Sequence, residues 1–388
     1  MTTTSGLSLK FDLESRARTS FVKELRRYVL DTGANSLRTD YRSHVESRLS
    51  ARTPRAIHET MRTRDAFRFY SALRTTSQDF LYQSIRPEIE RQTVAINNFA
   101  MRKICSRGAG SLRLDPALAV PRSVSAVDIH LMPGSYHTEY APDDVTMGAV
   151  YDERLRISTF GLFGPDLGDI GRSIAKFVAA RYEHLAPQRI LDLGCTVGHN
   201  TLPWKDVFPK ADVHGIDVSA PCLRYAHARA RERRVAIHFE QMNACALQYP
   251  DASFDVVFSS MFLHEIPKKE IPLILREAFR VLRPGGLMLH MELPPANQLS
   301  PWDSFYLDWD GHYNNEPFYR GFRAMDLPKI VADAGFARDR YIQHVIPSVH
   351  ALGATQWHKQ IERALPVSDD KTGRLTTGIR WFVFGARR

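Results

Sequence analysis

From residue 168 onward, short apolar runs alternate with amphipathic stretches. Arg189-Ile190-Leu191-Asp192-Leu193 is apolar and followed by glycines, which predicts a buried strand running into a turn and a helix. Val213-His214-Gly215-Ile216 predicts a second strand that ends on Asp217, and 239–244 a third with a polar exit at Asn243. The near-continuous apolar run at 253–260 has the character of a central parallel strand. A helix over 268–282 stops at Arg283-Pro284-Gly285-Gly286, where proline and glycine forbid its continuation. Leu287-Met288-Leu289-His290-Met291 then predicts a strand that ends at Glu292. After a helix over 327–334, strands follow at 341–346 and 378–384. Strands joined by crossover helices give a three-layer α/β fold.

Ahead of residue 168 the pattern is mostly helical. Residues 13–30 place Phe21, Leu25, Tyr28 and Val29 near one face, 56–73 offers Ile57, Met61, Phe67 and Tyr70, and 78–104 is the longest candidate. Residues 1–8 read as a disordered tail. Between 126 and 164 the pattern changes to short strands and turns. A chain of 388 residues exceeds one ordinary core. The resulting division is a helical cap and dimerisation region at 1–125, a linker and lid at 126–167, and a catalytic domain at 168–388 with an aromatic insert at 297–325.

The chemistry concentrates at Gly194-Cys195-Thr196-Val197-Gly198. Such a turn at the carboxyl edge of a parallel sheet brings bare backbone to a nucleotide-like ligand. Asp217, at the exit of the next strand, can accept both hydroxyls of a ribose. A dinucleotide-binding oxidoreductase would need a small residue at Thr196 and a further Gly or Ala near Leu202, so this turn lacks its fingerprint. With the Leu-Arg-Pro-Gly-Gly turn at 282–286, these motifs resemble the class I S-adenosylmethionine-dependent methyltransferases, in the broad group that includes the ubiquinone and menaquinone methylases. The resemblance implies a seven-stranded Rossmann-like sheet and S-adenosylmethionine as cofactor, released as S-adenosylhomocysteine. It assigns Asp192, Gly194, Gly198, Asp217 and Asn243 to cofactor binding, with Asn243 where relatives carry an acid, and Tyr151 to a lid.

Methyl transfer needs an acceptor in line with the methyl group, and a base only if the acceptor carries a proton with a high pKa. His264, beyond the fourth strand, is placed to be that base or a positioning group, with Glu265 and Glu292 assisting. Trp302, Tyr306, Arg320 and Arg323 of the insert, together with Tyr136 and His290, are candidate substrate contacts, the arginines for a carboxylate. His264, His290 and Glu292 lack diagnostic metal-site spacing, and no metal is assigned.

Residues 1–110 hold 20 Lys plus Arg against 11 Asp plus Glu, and this surplus accounts for the whole net charge of +9. The positive residues are scattered and match no nucleic-acid motif, so they favour an anionic small molecule over RNA. Four separated cysteines, no secretory signal and no spanning apolar run place the chain in the cytoplasm. The leading function is O-methylation of a hydroxyl or carboxylate on an anionic or aromatic small molecule, by a homodimer without a membrane partner. N- or C-methylation, an RNA or protein methylase using the basic helices, and a non-catalytic scaffold are the alternatives.

Overall fold

The computed structural model describes residues 5–363, 365–367, 371–372 and 374–388. Its centre is an eight-stranded sheet of β1 (Ser111–Arg113), β2 (Arg189–Leu193), β3 (Asp212–Asp217), β4 (His238–Gln241), β5 (Phe254–Ser260), β6 (Leu282–Glu292), β7 (Tyr341–Pro347) and β8 (Arg380–Arg387). The spatial order is β1-β4-β3-β2-β5-β6-β8-β7. All neighbours from β1 to β6 run parallel, while β8 lies antiparallel to both β6 and β7. The seven strands of the expected sheet are present. The eighth, β1, comes from the amino-terminal region and pairs Leu112 with Phe239.

Fourteen helices are numbered in chain order. Those of the amino-terminal half are α1 (Leu13–Tyr28), α2 (Ala34–His44), α3 (Pro54–Met61), α4 (Asp65–Ile104), α5 (Arg122–Ser125) and α6 (Thr146–Ser158). The sheet region adds α7 (Asp169–Arg181), α8 (Leu202–Val207), α9 (Ala220–Glu232), α10 (Ile271–Val281), α11 (Pro301–Tyr313), α12 (Tyr319–Arg323), α13 (Leu327–Asp333) and α14 (Val349–Ile361). Strand alternation divides the apolar side chains between the two sheet faces. Ile190, Val213, Val256 and Leu289 meet α7, α9 and α14 on one face. Leu191, Ile216, Val257 and Met288 meet α10 and α13 on the other.

The amino-terminal helices pack in two places. Leu81, Tyr82, Ile85 and Ile89 of α4 join Met147 of α6 and Cys222 and Tyr225 of α9. Leu37, Tyr41, Ile57 and Met61 of α2 and α3 join Trp302, Phe305 and Trp309 of α11. A buried ion pair ties α6 to α9: Asp152 accepts from Arg229, and from Tyr225 at 3.2 Å and Arg156 at 3.1 Å. Burial opposes the charge on Asp152, but these arginines hold its carboxyl well below the usual carboxylate range.

Several local expectations are corrected. Leu7 is buried, and Ser5 Oγ and Gly6 N donate to Glu232 at 2.5 and 2.9 Å, so residues 5–8 are docked; residues 1–4 lie outside the described residues. The buried face of α1 carries Ser15, Val22 and Arg26, whereas Phe21 is 62% exposed and Tyr28 also faces outward. Here polar residues share the inner stripe because Arg26 lines a cavity and Ser15 Oγ donates to Glu88, which departs from the usual amphipathic reading. The expected helix at 56–73 breaks at 62–64, and its second half is continuous with the 78–104 helix in the 40-residue α4, despite Pro87. The 126–164 region contains α6 rather than short strands. Nine of the 13 residues of α6 are buried, so it has no polar face to betray its period.

Candidate functional site

The exits of β2, β3 and β4 open on a cleft of about 980 Å³, including space continuous with solvent. Asp192, Gly194, Asp217 and Asn243 line it, and Tyr136 and Tyr151 close it from the segment ahead of α7. Gly194 has φ +73°, and a Cβ there would come 2.3 Å from the Phe262 ring, so only glycine fits. The Asp217 carboxylate accepts from the backbone N–H groups of Thr196 at 3.0 Å and Ser219 at 2.9 Å. Burial nevertheless pushes Asp217 up to about 6. Asp192 accepts from Thr201 Oγ1 at 2.6 Å and is pushed well above its usual range by burial.

A second cavity of about 1090 Å³, again partly open to solvent, adjoins the cleft. Tyr151, His199, Asn200, Ser260, Met261 and Glu265 line both. At its inner wall the Glu292 carboxylate accepts from the backbone N–H groups of Phe262 at 2.9 Å and Leu263 at 2.5 Å, and from His264 Nδ1 at 2.6 Å. The other nitrogen, His264 Nε2, faces Glu316 Oε2 at 3.8 Å. Glu265 accepts from Tyr136 Oη at 2.8 Å and pairs with His130 Nε2 at 3.1 Å. Burial would lower the His264 pKa, but Glu292 overrides it and raises the imidazole to about 9. His264 is therefore a cation at neutral pH.

A family model described as a methyltransferase domain matches residues 190–286. The chain is 37% identical over 110 residues to a demethylmenaquinone methyltransferase of Thermus thermophilus, covering 28% of this chain and 49% of the relative. The corresponding enzyme of Deinococcus radiodurans is 34% identical over 119 residues, covering 30% and 48%. A 27-O-demethylrifamycin SV methyltransferase of Amycolatopsis mediterranei is 40% identical over 106 residues, covering 26% and 37%. The chain thus spans about half, or less, of the length of these relatives. Residues 190–286 thus form a methyltransferase domain, similar to those of the class I S-adenosylmethionine-dependent methyltransferases. The cofactor of that family is S-adenosylmethionine, and the cleft fits it: an ionisable acid stands at the β3 exit, and the turn at Gly194 borders the cleft without a side chain of its own.

Around these two cavities the residues singled out in the sequence separate. Asp192, Gly194, Asp217, Asn243, Tyr136 and Tyr151 gather at the cleft, whereas His264 and Glu292 stand in the adjoining cavity. Glu265 borders both. Gly198, with φ +72°, lies behind the wall, where a Cβ would meet the Phe239 ring at 3.0 Å; it shapes the turn. Tyr136 faces the first cleft rather than the second cavity.

Five substrate assignments are corrected. His290, on β6 between β5 and β8, is buried with Nδ1 bonded to Ser259 Oγ at 2.7 Å, because its register turns it into the sheet's core. Trp302 stacks on Tyr41 at 4.6 Å, covering α2. Tyr306 lies under the Arg374 guanidinium at 4.4 Å and borders a different cleft. Arg320 is 70% exposed on the outer side of the insert. Arg323 is consumed structurally: it donates to the carbonyls of Pro294 and Ser304 and to Asp308 at 2.5 Å. Aromatic residues of the insert thus chiefly glue it to α2–α4, where an apolar surface required cover. Among the described residues, no group of three His, Cys, Asp or Glu side chains is placed to hold a metal ion.

The sequence reading missed His130, Asn314 and Glu316, which surround Glu265 and His264, and Arg26, Arg74 and Arg154 across the cavity. The one available signal was arginine recurring within otherwise helical stretches. Because the folded pKa of His264 is raised from 6.5 to about 9, its contribution to stability is complete below pH 6.5 and is lost as pH rises through 9. In urea titrations the stability difference between parent and His264→Gln should therefore shrink by roughly 2–3 kcal/mol over that window. A difference independent of pH would show that the pair is not ionised as described.

Proposed function

We propose that this protein transfers a methyl group to a small molecule held in the second cavity, with O-methylation of a hydroxyl or carboxylate as the reaction. The observation that carries the proposal is the shared wall: the cofactor cleft and a cavity bearing arginine, histidine and glutamate side chains meet at Tyr151, Ser260, Met261 and Glu265. When bound, S-adenosylmethionine supplies an electrophilic methyl carbon. Asp217 would accept from the ribose hydroxyls, and Gly194 would allow close approach of the backbone. Protonated His264, fixed by Glu292, would donate from Nε2 to an acceptor oxygen and orient it, with Glu265 holding the boundary between the sites. A carboxylate acceptor arrives ionised and needs no base, which suits a histidine already carrying its proton. Placement of Arg26 and Arg74 inside the cavity removes them from any RNA-tracking surface, so a small acceptor is favoured over a macromolecule.

Calorimetry with S-adenosylhomocysteine tests the cofactor site. Asp217→Ala should weaken binding about ten- to a hundredfold, the usual worth of hydrogen bonds to a charged group. The parent affinity should fall as pH drops through about 6, because the carboxylate must be ionised to accept both hydroxyls. Unchanged binding on either count removes Asp217 from the site. With an acceptor found by a labelled-methyl screen, turnover should fall as pH rises through about 9, and His264→Gln should lower it about tenfold. Turnover that instead rises through 9 would make His264 a general base.

We further propose a homodimer. Leu13, Phe21 and Tyr28 form an exposed stripe on α1, and Phe69 and Val94 add exposed apolar surface on α4. Light scattering should give twice the chain mass, reduced to the chain mass by Phe21→Glu. A parent that runs as a monomer at micromolar concentration refutes the dimer.

A further inference from the structure

Three arginines from three helices line the second cavity: Arg26 of α1, Arg74 of α4 and Arg154 of α6. All are buried, with exposures of 3, 2 and 6%. Arg74 Nε donates to Asp310 at 2.5 Å, a structural pair that joins α4 to α11. Among the described residues Arg26 donates only to the neutral Gln78 Oε1, which Arg74 also reaches at 3.4 Å. Arg154 lies 5.1 Å from the Tyr151 ring centroid. Among the described residues, no carboxylate oxygen lies within 4.0 Å of Arg26 or Arg154, and the Nε of each is buried without a hydrogen-bond partner.

Buried cations are ordinarily paired, because removal from water is otherwise uncompensated. The Arg26 pKa shows the consequence: burial, and then repulsion from Arg74, lower it to about 9. Packing alone does not account for this arrangement, since leucine or methionine would fill the same volume without an orphaned donor. The cavity's acids are bonded to other groups: Asp310 to Arg74, Glu292 to His264, and Glu265 and Glu316 to His130.

Resting on the methyl-transfer reading of the same cavity, we propose that Arg26 and Arg154, braced by Arg74, form an anchor for an oxyanion of the acceptor, a carboxylate or a phosphate. The guanidinium fork matches such a group, and Gln78 holds Arg26 in place to meet it. The acceptor would span the cavity, its acidic end at the arginines and its nucleophilic end at the wall shared with the cofactor cleft. This makes the amino-terminal helices and α6 part of the specificity pocket, not merely a cover.

The test is calorimetry on the full chain, with and without saturating S-adenosylhomocysteine, using benzoate, its neutral analogue benzamide, and inorganic phosphate. At least one anion should bind at least about tenfold more tightly than benzamide. Tighter benzoate identifies a carboxylate site, and tighter phosphate a phosphate site. Arg26→Met and Arg154→Met should each weaken anion binding by about tenfold, Arg26→Met should alter S-adenosylhomocysteine binding less than about twofold, and Arg154→Lys should retain part of the affinity. Equal binding of benzoate, phosphate and benzamide, absence of anion binding at millimolar concentration, or undiminished anion binding in both methionine variants overturns the anchor. The comparison of probes on the parent decides the matter even if a variant does not fold. A parent that binds anion but not S-adenosylhomocysteine would sink the methyl-transfer reading while leaving the anchor standing.

Discussion

The buried Glu292 carboxylate is the contact on which the site's geometry depends. It sits at the end of β6 and accepts from two successive backbone N–H groups of the loop after β5, as well as from His264. Parallel strands deliver their carboxyl ends to the same edge but do not fix the loops beyond them. Here one side chain does so. By pinning Phe262 and Leu263 it sets Phe262 over Gly194 on the cofactor side and His264 in the second cavity on the other. Removing it would leave two backbone donors and a cationic imidazole without their acceptor in a dry interior, a high cost for any buried polar network.

This dependence explains the character of His264. A histidine at a strand exit reads naturally as a base, since its ordinary pKa lies near neutrality. The sequence places Glu292 at the neighbouring strand exit but does not disclose that the two side chains are 2.6 Å apart and secluded from water. That proximity shifts the group from a proton acceptor to a proton holder at neutral pH. The distinction between base and positioning group is thus made by tertiary distance, not by residue type.

Legibility along the chain follows from how local each determinant is. Strand exits at Asp192 and Asp217 and the stop at Pro284-Gly285-Gly286 are set by short-range patterns, and the structure has them at the ends of β2 and β3 and in the first residues of β6, directly after α10. In α6 and α1 the determinant is what packs around the helix. Helix α6 is enclosed on nearly all sides, and α1 turns Ser15 and Arg26 inward, so a search for an apolar stripe selects the wrong face or finds no helix. Arg320 and Arg323 had the right residue type at the wrong place. Arg323 meets a carboxylate of its own chain, and that leaves nothing for a ligand.

The charge of the amino-terminal region can be understood in the same terms. A surplus of nine spread along helices looks, in one dimension, like a solvated basic surface. Folding separates its members by environment. Arg18, Arg55 and Arg86 make i to i+4 pairs with glutamates at the surface, where such pairs contribute little. Arg26 and Arg74 turn inward from different helices and converge with Arg154. Their interaction with a charged group inside the protein is screened far less than that of any surface pair. A few inward-facing arginines can therefore govern what the cavity admits, while the more numerous outward-facing ones mainly maintain the surface.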